Sequence, residues 1–452
     1  MVRLTGSFSQ LRPCKVLVAG DLLLDTYTIG KTRRISPEAP VVVVQVQSEL
    51  SLPGGAGNVI LNLRSMGAWV VPICRVGPDA NGDLLLETLK EEVVDLRGIV
   101  RQNGYATPVK NRVIAENQQI VRVDYETIVP LPENLEQQII DQLPERLKGV
   151  DVIAISDYGK GFLTKTLLTA LIDLGRKRNI PIIADPKGTD FAKYKHSTVI
   201  KPNLSEAYAA ANLPPDAPLE AVAPKVLQMS QSDVLMVTRS EAGISLFFKE
   251  GHRKDFPVKV KEVKDVTGAG DTVLAMLTCA MASGLSIDAA AQLSNVAAGI
   301  AIERLGCARV NLSDLARRLL ESDVANKVFD EEHLYALQQA LQGRRCALLG
   351  LSGKQGLSTS IFKAIHSLSN REGWDLLVFV TDPEPPQEFI EMLSALHDVD
   401  FILVNGDNLR SLCSRIQPEE VYEVREKELI RLNDALELIE AKREENASSC
   451  NK

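Results

Sequence analysis

Between residues 15 and 325, the chain alternates short apolar, β-branched runs with longer amphipathic or alanine-rich stretches. Short apolar runs predict buried strands, whereas apolar positions three and four apart predict helices. The predicted strands are 15–19, 70–76, 150–156, 180–185, 198–201 and 234–238, and the clearest predicted helices are 58–66, 82–91, 164–177 and 269–283. This alternation predicts an α/β fold, with a mostly parallel sheet covered by helices on both faces and functional residues beyond the carboxyl ends of its strands.

Two segments, 41–47 and 109–124, depart from this alternation of buried strands and helices. In the second of them, residues 121–124 alternate apolar with charged side chains. A period of two predicts strands with one exposed face, so we expect a small β lid beside the main sheet. Because exposed strands pair readily with partners, the lid also predicts a homodimer.

The sequence predicts a second domain near the carboxyl terminus. A charged stretch, 312–342, contains neither Gly nor Pro and ends at Gly343, after which strand-like runs resume at 345–351, 375–381 and 399–405. We therefore predict a first domain over 1–325, a helical linker over 326–343, and a smaller Rossmann-like α/β domain over 344–452 that ends in a charged helical tail.

Composition narrows the class of protein. Of 452 residues, 45% are hydrophobic and 24% charged, which is typical of a globular chain, and the net charge of -8 argues against a nucleic-acid partner. Seven scattered cysteines without a C-x-x-C spacing disfavour a disulfide framework and a zinc site. The amino terminus lacks an apolar signal core, and the longest uncharged run has 16 residues, so we expect a cytoplasmic chain without a membrane segment.

The most specific chemical motif is segment 265–272, Asp-Val-Thr-Gly-Ala-Gly-Asp-Thr, which leads into an alanine-rich predicted helix. The backbone amides of Gly268, Ala269 and Gly270 can approach an anion closely, and the helix start adds positive potential. Asp271, directly behind them, can accept a proton from a nucleophilic hydroxyl. The alternative is an ordinary glycine-containing turn with a capping aspartate.

A second motif, Lys-Pro-Asn-Leu-Ser-Glu, covers residues 201–206 and follows a predicted strand. Asn203 and Glu206 are three residues apart on a first helical turn, so they face one way and can organise Mg²⁺, water and phosphate oxygens. A plain helix start with capping residues explains the same pattern.

Two upstream segments add polar groups. Segment 53–58, Pro-Gly-Gly-Ala-Gly-Asn, precedes a predicted helix, and Asp21 and Asp25 follow the first strand, where carboxylates can hold sugar hydroxyls. Neither a P-loop nor a complete dinucleotide-binding fingerprint is present in the sequence.

Together these motifs resemble the ribokinase-like (PfkB) carbohydrate kinase superfamily, in which Gly-Gly-x-Gly-Asn, Asn-x-x-Glu and (Asp/Asn)-x-x-Gly-Ala-Gly-Asp occur in this order. Segments 34–40, 118–124, 156–161 and 185–188 resemble its heptose 7-phosphate kinase module, which many bacteria fuse to a heptose 1-phosphate adenylyltransferase. The resemblance covers residues 12–310. It implies ATP-dependent phosphorylation of the anomeric hydroxyl of D-glycero-D-manno-heptose 7-phosphate to the 1,7-bisphosphate, in ADP-heptose synthesis for the lipopolysaccharide core.

The resemblance also implies roles for individual residues. It makes Asp271 the base and the glycine segment before it the anion hole. The implied nucleotide-binding residues are Asn203, Leu204, Ser205, Glu206, Thr238, Arg239, Gly243 and Asn295, with Glu206 holding Mg²⁺ through water. The implied sugar-binding residues are Asp25, Gly54, Gly55 and Asn58, and the implied cationic partners of the substrate's phosphate are Arg34, Arg112, Lys160 and Lys187. For each of these four cations, a solvated surface charge is the alternative.

The implied cofactors are ATP and Mg²⁺, and a monovalent cation is left open. Three alternative functions also stay open: a kinase of another sugar or sugar phosphate, a chain that is still bifunctional with adenylyltransferase activity, and a scaffold that senses nucleotides or sugar phosphates. The retained Asp271 with its glycines argues against the scaffold.

The second domain departs from the family pattern. The transferase carries a His-x-Gly-His segment after its first strand, but residues 348–360 lack it, as does the rest of the chain. We therefore expect a degenerate nucleotidyltransferase-like domain kept for packing or association, with residual nucleotide binding or regulation as the alternative.

Overall fold

Two units make up the chain. The computed structural model describes residues 6–433 except 117, 259–262, 305, 321–326, 405, 407 and 426. One unit is Pro13–Asn311, and the other combines Met1–Arg12 with Leu312–Lys452.

The first unit is built on a nine-stranded sheet. Its strands are β1 (Lys15–Gly20), β4 (Trp69–Val76), β5 (Ile99–Arg101), β8 (Val152–Ser156), β9 (Ile182–Asp185), β10 (Val199–Ile200), β11 (Val234–Thr238), β12 (Ile244–Phe248) and β13 (Arg253–Phe256). The order is β13-β12-β11-β10-β9-β8-β1-β4-β5, and every neighbouring pair from β11 to β5 is parallel. The predicted α/β architecture with a mostly parallel sheet is confirmed.

In the described part of this unit, six helices lie in the connections between strands: α1 (Ala56–Ser65), α2 (Ala80–Glu91), α3 (Glu133–Arg146), α4 (Lys165–Lys177), α5 (Leu204–Ala211) and α6 (Leu219–Ser230). Two more, α7 (Ala269–Ala282) and α8 (Ile287–Ile302), follow the last strand, β13. From β1 the chain moves to β4 and β5 in one direction, and from β8 it moves to β9, β10 and β11 in the other. Right-handed crossovers in opposite directions place helices on opposite faces. Accordingly, α3 to α6 share one apolar core, whereas α7 packs against α1 and α8.

A separate four-stranded sheet forms the predicted β lid. Its strands are β2 (Leu22–Ile35), β3 (Val42–Gly55), β6 (Val109–Ala115) and β7 (Gln118–Tyr125), in the order β3-β2-β6-β7. The amino-terminal half of β2 and the last residues of β3 are buried, whereas their distal halves are largely exposed. The lid is therefore anchored at one end and projects into solvent at the other.

The second unit contains a six-stranded sheet of order β14-β17-β16-β15-β18-β19. The strands are β14 (Val328–Phe329), β15 (Arg345–Leu351), β16 (Trp374–Val380), β17 (Phe401–Leu403), β18 (Glu420–Arg425) and β19 (Glu428–Arg431). Its helices are α9 (Leu312–Leu320), α10 (Leu334–Leu341), α11 (Thr359–Ser369), α12 (Gln387–Ser394) and α13 (Leu409–Ile416). All pairings except β18 with β19 are parallel, as in a Rossmann-like sheet.

The division between the units differs from the predicted boundaries at 325 and 343. Helix α9 packs against α10, burying Leu315 and Leu319, so residues from 312 onward belong to the second unit. Residues 326–343 are not solely a helical linker, because β14 pairs with β17. Residues 434–452, most of the predicted tail, lie outside the described residues. In the part of the chain that the structure describes, no helix has the length and apolar character that a membrane crossing requires.

Candidate active site

The candidate site lies where the strand order reverses, between β1 and β8. In open α/β sheets, ligands bind beyond the carboxyl ends of strands at such a point. Asp21 directly follows β1, and its Oδ2 accepts hydrogen bonds from the backbone amides of Tyr158 (3.0 Å) and Lys160 (3.1 Å) in the loop after β8. Through these two hydrogen bonds the buried Asp21 fixes the loop after β8.

The predicted base, Asp271, lies in the first turn of α7 and is only 3% exposed. Asn58 Nδ2 donates a hydrogen bond to its Oδ2 (2.9 Å), and the Tyr158 hydroxyl donates to its Oδ1 (2.8 Å). Burial raises the pKa of this carboxyl to about 7, against the lowering effect of these two hydrogen bonds. A carboxylate with a pKa near neutrality suits general-base catalysis at physiological pH.

The glycine segment ahead of Asp271 is held by close packing. Gly268 caps α7 with φ +78°, and a Cβ there would lie 2.5 Å from Asn58 Nδ2. Asp265 braces the turn, because its carboxylate accepts from the Thr267 amide (2.9 Å) and the Gly306 amide (3.0 Å). The Ala269 amide donates to the Val266 carbonyl (3.3 Å), so it is already engaged in the turn, whereas Gly270 is exposed at the helix start.

Among the predicted sugar-binding residues, Asp25 of β2 forms an ion pair with Arg112 of the adjacent strand β6. Asp25 is 4% exposed, and the Cys307 thiol donates to its Oδ2 (3.4 Å). A side chain at Gly54 would collide with the same carboxylate. The structure therefore gathers the predicted residues Asp25, Gly54 and Arg112 into one cluster.

The other three predicted phosphate-binding cations lie in different settings. Lys160 is buried, and its Nζ lies 2.7 Å from Glu126 Oε2. Lys187 Nζ lies 2.7 Å from Glu206 Oε1, which ties it to the nucleotide side. Arg34 is exposed on the distal half of β2, nine residues beyond Asp25, which at strand spacing is about 30 Å. The structure does not bring Arg34 to this cluster.

Among the predicted nucleotide-binding residues, Asn203 and Glu206 form a reciprocal capping box at the start of α5. Glu206 donates its amide to Asn203 Oδ1 (2.9 Å), and Asn203 donates its amide to Glu206 Oε2 (3.0 Å). The motif thus caps the helix, as the alternative interpretation of the sequence expected. Leu204 and Ser205 are exposed. An isolated β-bridge places Asn203 beside Thr238 at the end of β11.

The remaining predicted nucleotide-side residues shape the loops after β11. Arg239 donates to the Ala242 carbonyl (3.0 Å), and Gly243 has φ +80°, where a Cβ would meet the Phe256 carbonyl. Asn295 of α8 donates to the carbonyls of Phe256 (3.1 Å) and Pro257 (3.0 Å). These contacts make Gly243 and Asn295 structural supports of the loop beside the site.

Sequence reasoning missed a buried ion pair under the glycine segment. Lys201 is 2% exposed, and its Nζ lies 2.8 Å from Asp185 Oδ2 and 3.9 Å from the position of a Cβ on Gly270. Burial raises the pKa of Asp185 to about 6 despite this partner. One feature of the sequence could have indicated this pair: Lys201 ends a β-branched run directly before the Pro-Asn motif.

The second unit carries a self-contained polar cluster at the corresponding end of its sheet. Asp382, following β16, accepts hydrogen bonds from the Ser352 hydroxyl (2.9 Å) and from the Gly353 amide, both directly after β15. Asp382 is buried. Its carboxylate therefore already accepts the hydrogen bonds of the amide and hydroxyl donors at this end of the sheet.

Comparison with known proteins settles the family. A family model described as pfkB family carbohydrate kinase matches residues 15–315, which are two thirds of the chain. The chain belongs to this family. As a pfkB carbohydrate kinase, it is a phosphotransferase that acts on an alcohol group.

Curated relatives of this pfkB kinase share the name bifunctional protein HldE. The protein from Trichlorobacter lovleyi is 44% identical over 331 residues, which are 72% of this chain and 67% of that protein. The protein from Geotalea uraniireducens is 40% identical over 431 residues, covering 91% of this chain and 88% of its own length. Alignments to relatives from Citrifermentans bemidjiense and two Geobacter species span 63–64% of those proteins, just under two thirds.

Solved structures agree on the fold of the kinase unit. Arabidopsis thaliana ribokinase, complexed with ribose and ATP, superposes with a TM-score of 0.55 at 18% identity, over 68% of this chain and 99% of that chain. The ribokinase-like fold is thereby confirmed.

Proposed function

We propose that this kinase transfers the γ-phosphoryl group of ATP to the anomeric hydroxyl of D-glycero-D-manno-heptose 7-phosphate. The observation that carries the proposal is the buried Asp271 carboxylate, held by Asn58 and Tyr158 behind the start of α7. The heptose assignment is supported by the four family-like segments of the sequence and by relatives whose name, bifunctional protein, fits a kinase module joined to a second module.

In this mechanism, Asp271 accepts the proton of the attacking hydroxyl as its oxygen bonds to the γ-phosphorus, and the bond from that phosphorus to the β–γ bridging oxygen breaks to release ADP. The amides at the start of α7 and the buried Lys201 supply positive potential where charge collects on the transferred group. Asp25 accepts hydrogen bonds from sugar hydroxyls, and Arg112 fixes its orientation. Phosphoryl transfer depends mainly on such positioning and charge stabilisation.

The chemistry of the donor set fits a magnesium ion carried largely by nucleotide and water. Within the described ranges, no group of three His, Cys, Asp or Glu side chains forms a ready metal cage. Magnesium characteristically uses one or two carboxylates with substrate phosphates and water. Glu206 at the start of α5, whose side chain is 16% exposed and pairs with Lys187, would hold the ion through water in this way. When bound, the ion neutralises charge on the phosphates. A monovalent cation stays an open part of this proposal.

Of the predicted phosphate-binding cations, Arg112 and Lys160 support a phosphorylated rather than a neutral sugar, whereas Lys187 is tied to Glu206. Each is already paired with a carboxylate, so binding of the substrate phosphate requires exchange of at least one of these pairs. The test is a kinase assay across heptose 7-phosphate, ribose, fructose and their phosphates, with the product located by NMR. Highest kcat/KM for heptose 7-phosphate and phosphorylation at the anomeric carbon are expected; preference for an unphosphorylated sugar would contradict the proposal.

We propose that the second unit has lost adenylyl transfer. The chain contains no His-x-Gly-His, and Asp382 occupies the Gly353 amide after β15. Retained bifunctionality is the alternative, favoured by the relatives' name and by alignment over 91% of this chain. Pyrophosphate release from ATP that depends on heptose 1-phosphate would establish the alternative, and none is expected.

We also propose that the kinase is a cytoplasmic homodimer. The distal lid exposes apolar side chains, including Val42, Val46 and Leu50 of the edge strand β3, and such strands pair with partners. All six cysteines in the described part of the chain are free and buried, as suits a reducing compartment. Light scattering that gives a strict monomer would contradict the dimer.

A further inference from the structure

Tyr158 connects three parts of the candidate site. Its backbone amide donates to Asp21 Oδ2 (3.0 Å), and its ring packs against Gly55, where an added Cβ would lie 3.3 Å from Tyr158 Cδ2. Its hydroxyl donates to Asp271 Oδ1 (2.8 Å). The residue is thus fixed at its backbone, along its ring and at its hydroxyl.

The base receives a hydrogen bond on each carboxylate oxygen, and the two donors come from different elements. Asn58 lies on α1, whereas Tyr158 lies in the loop after β8. A single donor leaves a carboxylate free to rotate about its Cβ–Cγ bond, but two donors fix its plane. Each oxygen keeps a second lone pair, so the acceptor hydroxyl can still reach the base.

The groups that face Asp271 determine how easily it ionises. Asp185 raises its pKa and Lys201 lowers it, and these two are paired with each other. Asp25, paired with Arg112, and the Cys307 thiol complete the neighbouring titratable groups. Burial raises the pKa of the Cys307 thiol well above its usual range, and burial raises that of Tyr158 likewise, so both stay protonated at physiological pH.

We propose that Tyr158 is a positioning residue of the kinase reaction, which orients the Asp271 carboxylate toward the acceptor hydroxyl and sets the pH range in which the enzyme works. The inference rests on the proposed function, in which Asp271 is the base. A hydrogen bond to an ionised carboxylate favours the ionised form. Removing the hydroxyl therefore makes Asp271 harder to ionise. The pH range in which the enzyme is active then moves upward.

The test is Tyr158→Phe, which keeps the ring and removes one oxygen. The acidic limb of its kcat/KM profile should move up by about one pH unit, and turnover at pH 7 should fall by about fivefold because less of Asp271 is ionised. The KM for ATP should not change, because the hydroxyl contacts the base rather than the nucleotide side. Tyr194→Phe is the matched control, since the Tyr194 hydroxyl also donates to a buried carboxylate, Asp157 (2.6 Å), and this variant should leave the limb in place.

If folded Tyr158→Phe keeps the acidic limb of its pH profile in place, the inference is overturned. An equal loss of kcat/KM at every pH would also overturn it, because such a loss indicates a merely structural role. A shift of the same size in Tyr194→Phe would also overturn it. Tyr158→Met, which likewise lacks the hydroxyl, gives the same readout if the Phe variant unfolds. Asp271→Asn separates the two proposals. Full turnover in Asp271→Asn would show that Asp271 is not the base. If Asp271→Asn is inactive but the acidic limb of Tyr158→Phe is unmoved, only the role of Tyr158 is refuted.

Discussion

Lys201 and Asp185 form an ion pair beneath the first turn of α7, with Nζ 2.8 Å from Oδ2. Their side chains are 2% and 19% exposed, so neither charge is solvated as in water. Burial raises the pKa of Asp185 to about 6, although the attraction of Lys201 lowers it. The cost of desolvating the carboxylate therefore outweighs its attraction to Lys201. The pair therefore holds a positive charge beside the glycine segment at some expense in stability.

Lys201→Met should unfold more easily, and the loss should grow with pH. An unpaired buried charge costs about 3–5 kcal/mol, but Asp185 can escape by protonation. Without Lys201 its pKa rises further, so the loss is small near pH 5 and larger near pH 8. Denaturant unfolding at both values measures this, and Lys201→Met with Asp185→Asn should recover much of the loss. A pH-independent loss would show that Asp185 does not respond to Lys201.

Asp271→Asn keeps the shape of the base but cannot accept a proton. We expect kcat to fall by ~10²-fold or more while ATP still binds. In the unaltered enzyme, kcat/KM should rise with pH through about 7, where the base ionises. Steady-state kinetics and nucleotide binding by calorimetry measure both; near-normal turnover would remove Asp271 from the mechanism.

The same substitution should stabilise the fold at alkaline pH. The folded pKa of Asp271 lies above its unfolded value of 3.8, so the folded state binds the proton more tightly. Its contribution to stability is therefore present below about pH 4 and is lost as pH rises through about 7. Asp271→Asn should gain on the order of 1–3 kcal/mol over the unaltered protein at pH 8 and little at pH 4. Equal unfolding free energies at pH 8 would show that burial of the charge is not costly.

Glu206→Gln separates the capping role of this side chain from its metal role. Glutamine also serves at this position of a capping box, so the unfolding free energy should change by less than about 1 kcal/mol. The Mg²⁺ concentration for half-maximal activity should rise, because the charge that organises the hydrated ion is gone. An unchanged Mg²⁺ titration would restrict Glu206 to capping.

Gly268→Ala should reduce turnover through Asn58. The new Cβ would lie 2.5 Å from Asn58 Nδ2, so Asn58 must shift away from Asp271. Gly149 also has a positive φ, of +66°, but nothing lies within 4 Å of a Cβ built there. Gly149→Ala therefore carries the backbone strain alone and should keep its kcat. Equal kinetics in the two variants would show that crowding of Asn58 does not control turnover.

The parts of the fold that follow local rules could be predicted from the sequence. Buried strands such as β8 and the apolar helix α7 have uniform patterns. The contact of Asn58 with Asp271 was not predicted, because the resemblance assigned Asn58 to the sugar. The roles of Lys201 and Tyr158 could not be predicted, because burial of a polar side chain depends on neighbours far away in sequence. The boundary at 343 followed glycine, whereas the actual division follows the packing of α9 against α10.

The burial of α7 has a consequence for heat inactivation. Apart from Met281, every residue of this helix from Asp271 to Ala282 is buried, and Asp271, the proposed base, lies in its first turn. A side chain on a mobile loop can lose its geometry while the rest of the domain stays folded, but Asp271 moves only if the packing of α1, α7 and α8 gives way. On heating, catalytic activity should therefore persist up to the cooperative melting of the kinase unit and disappear together with it.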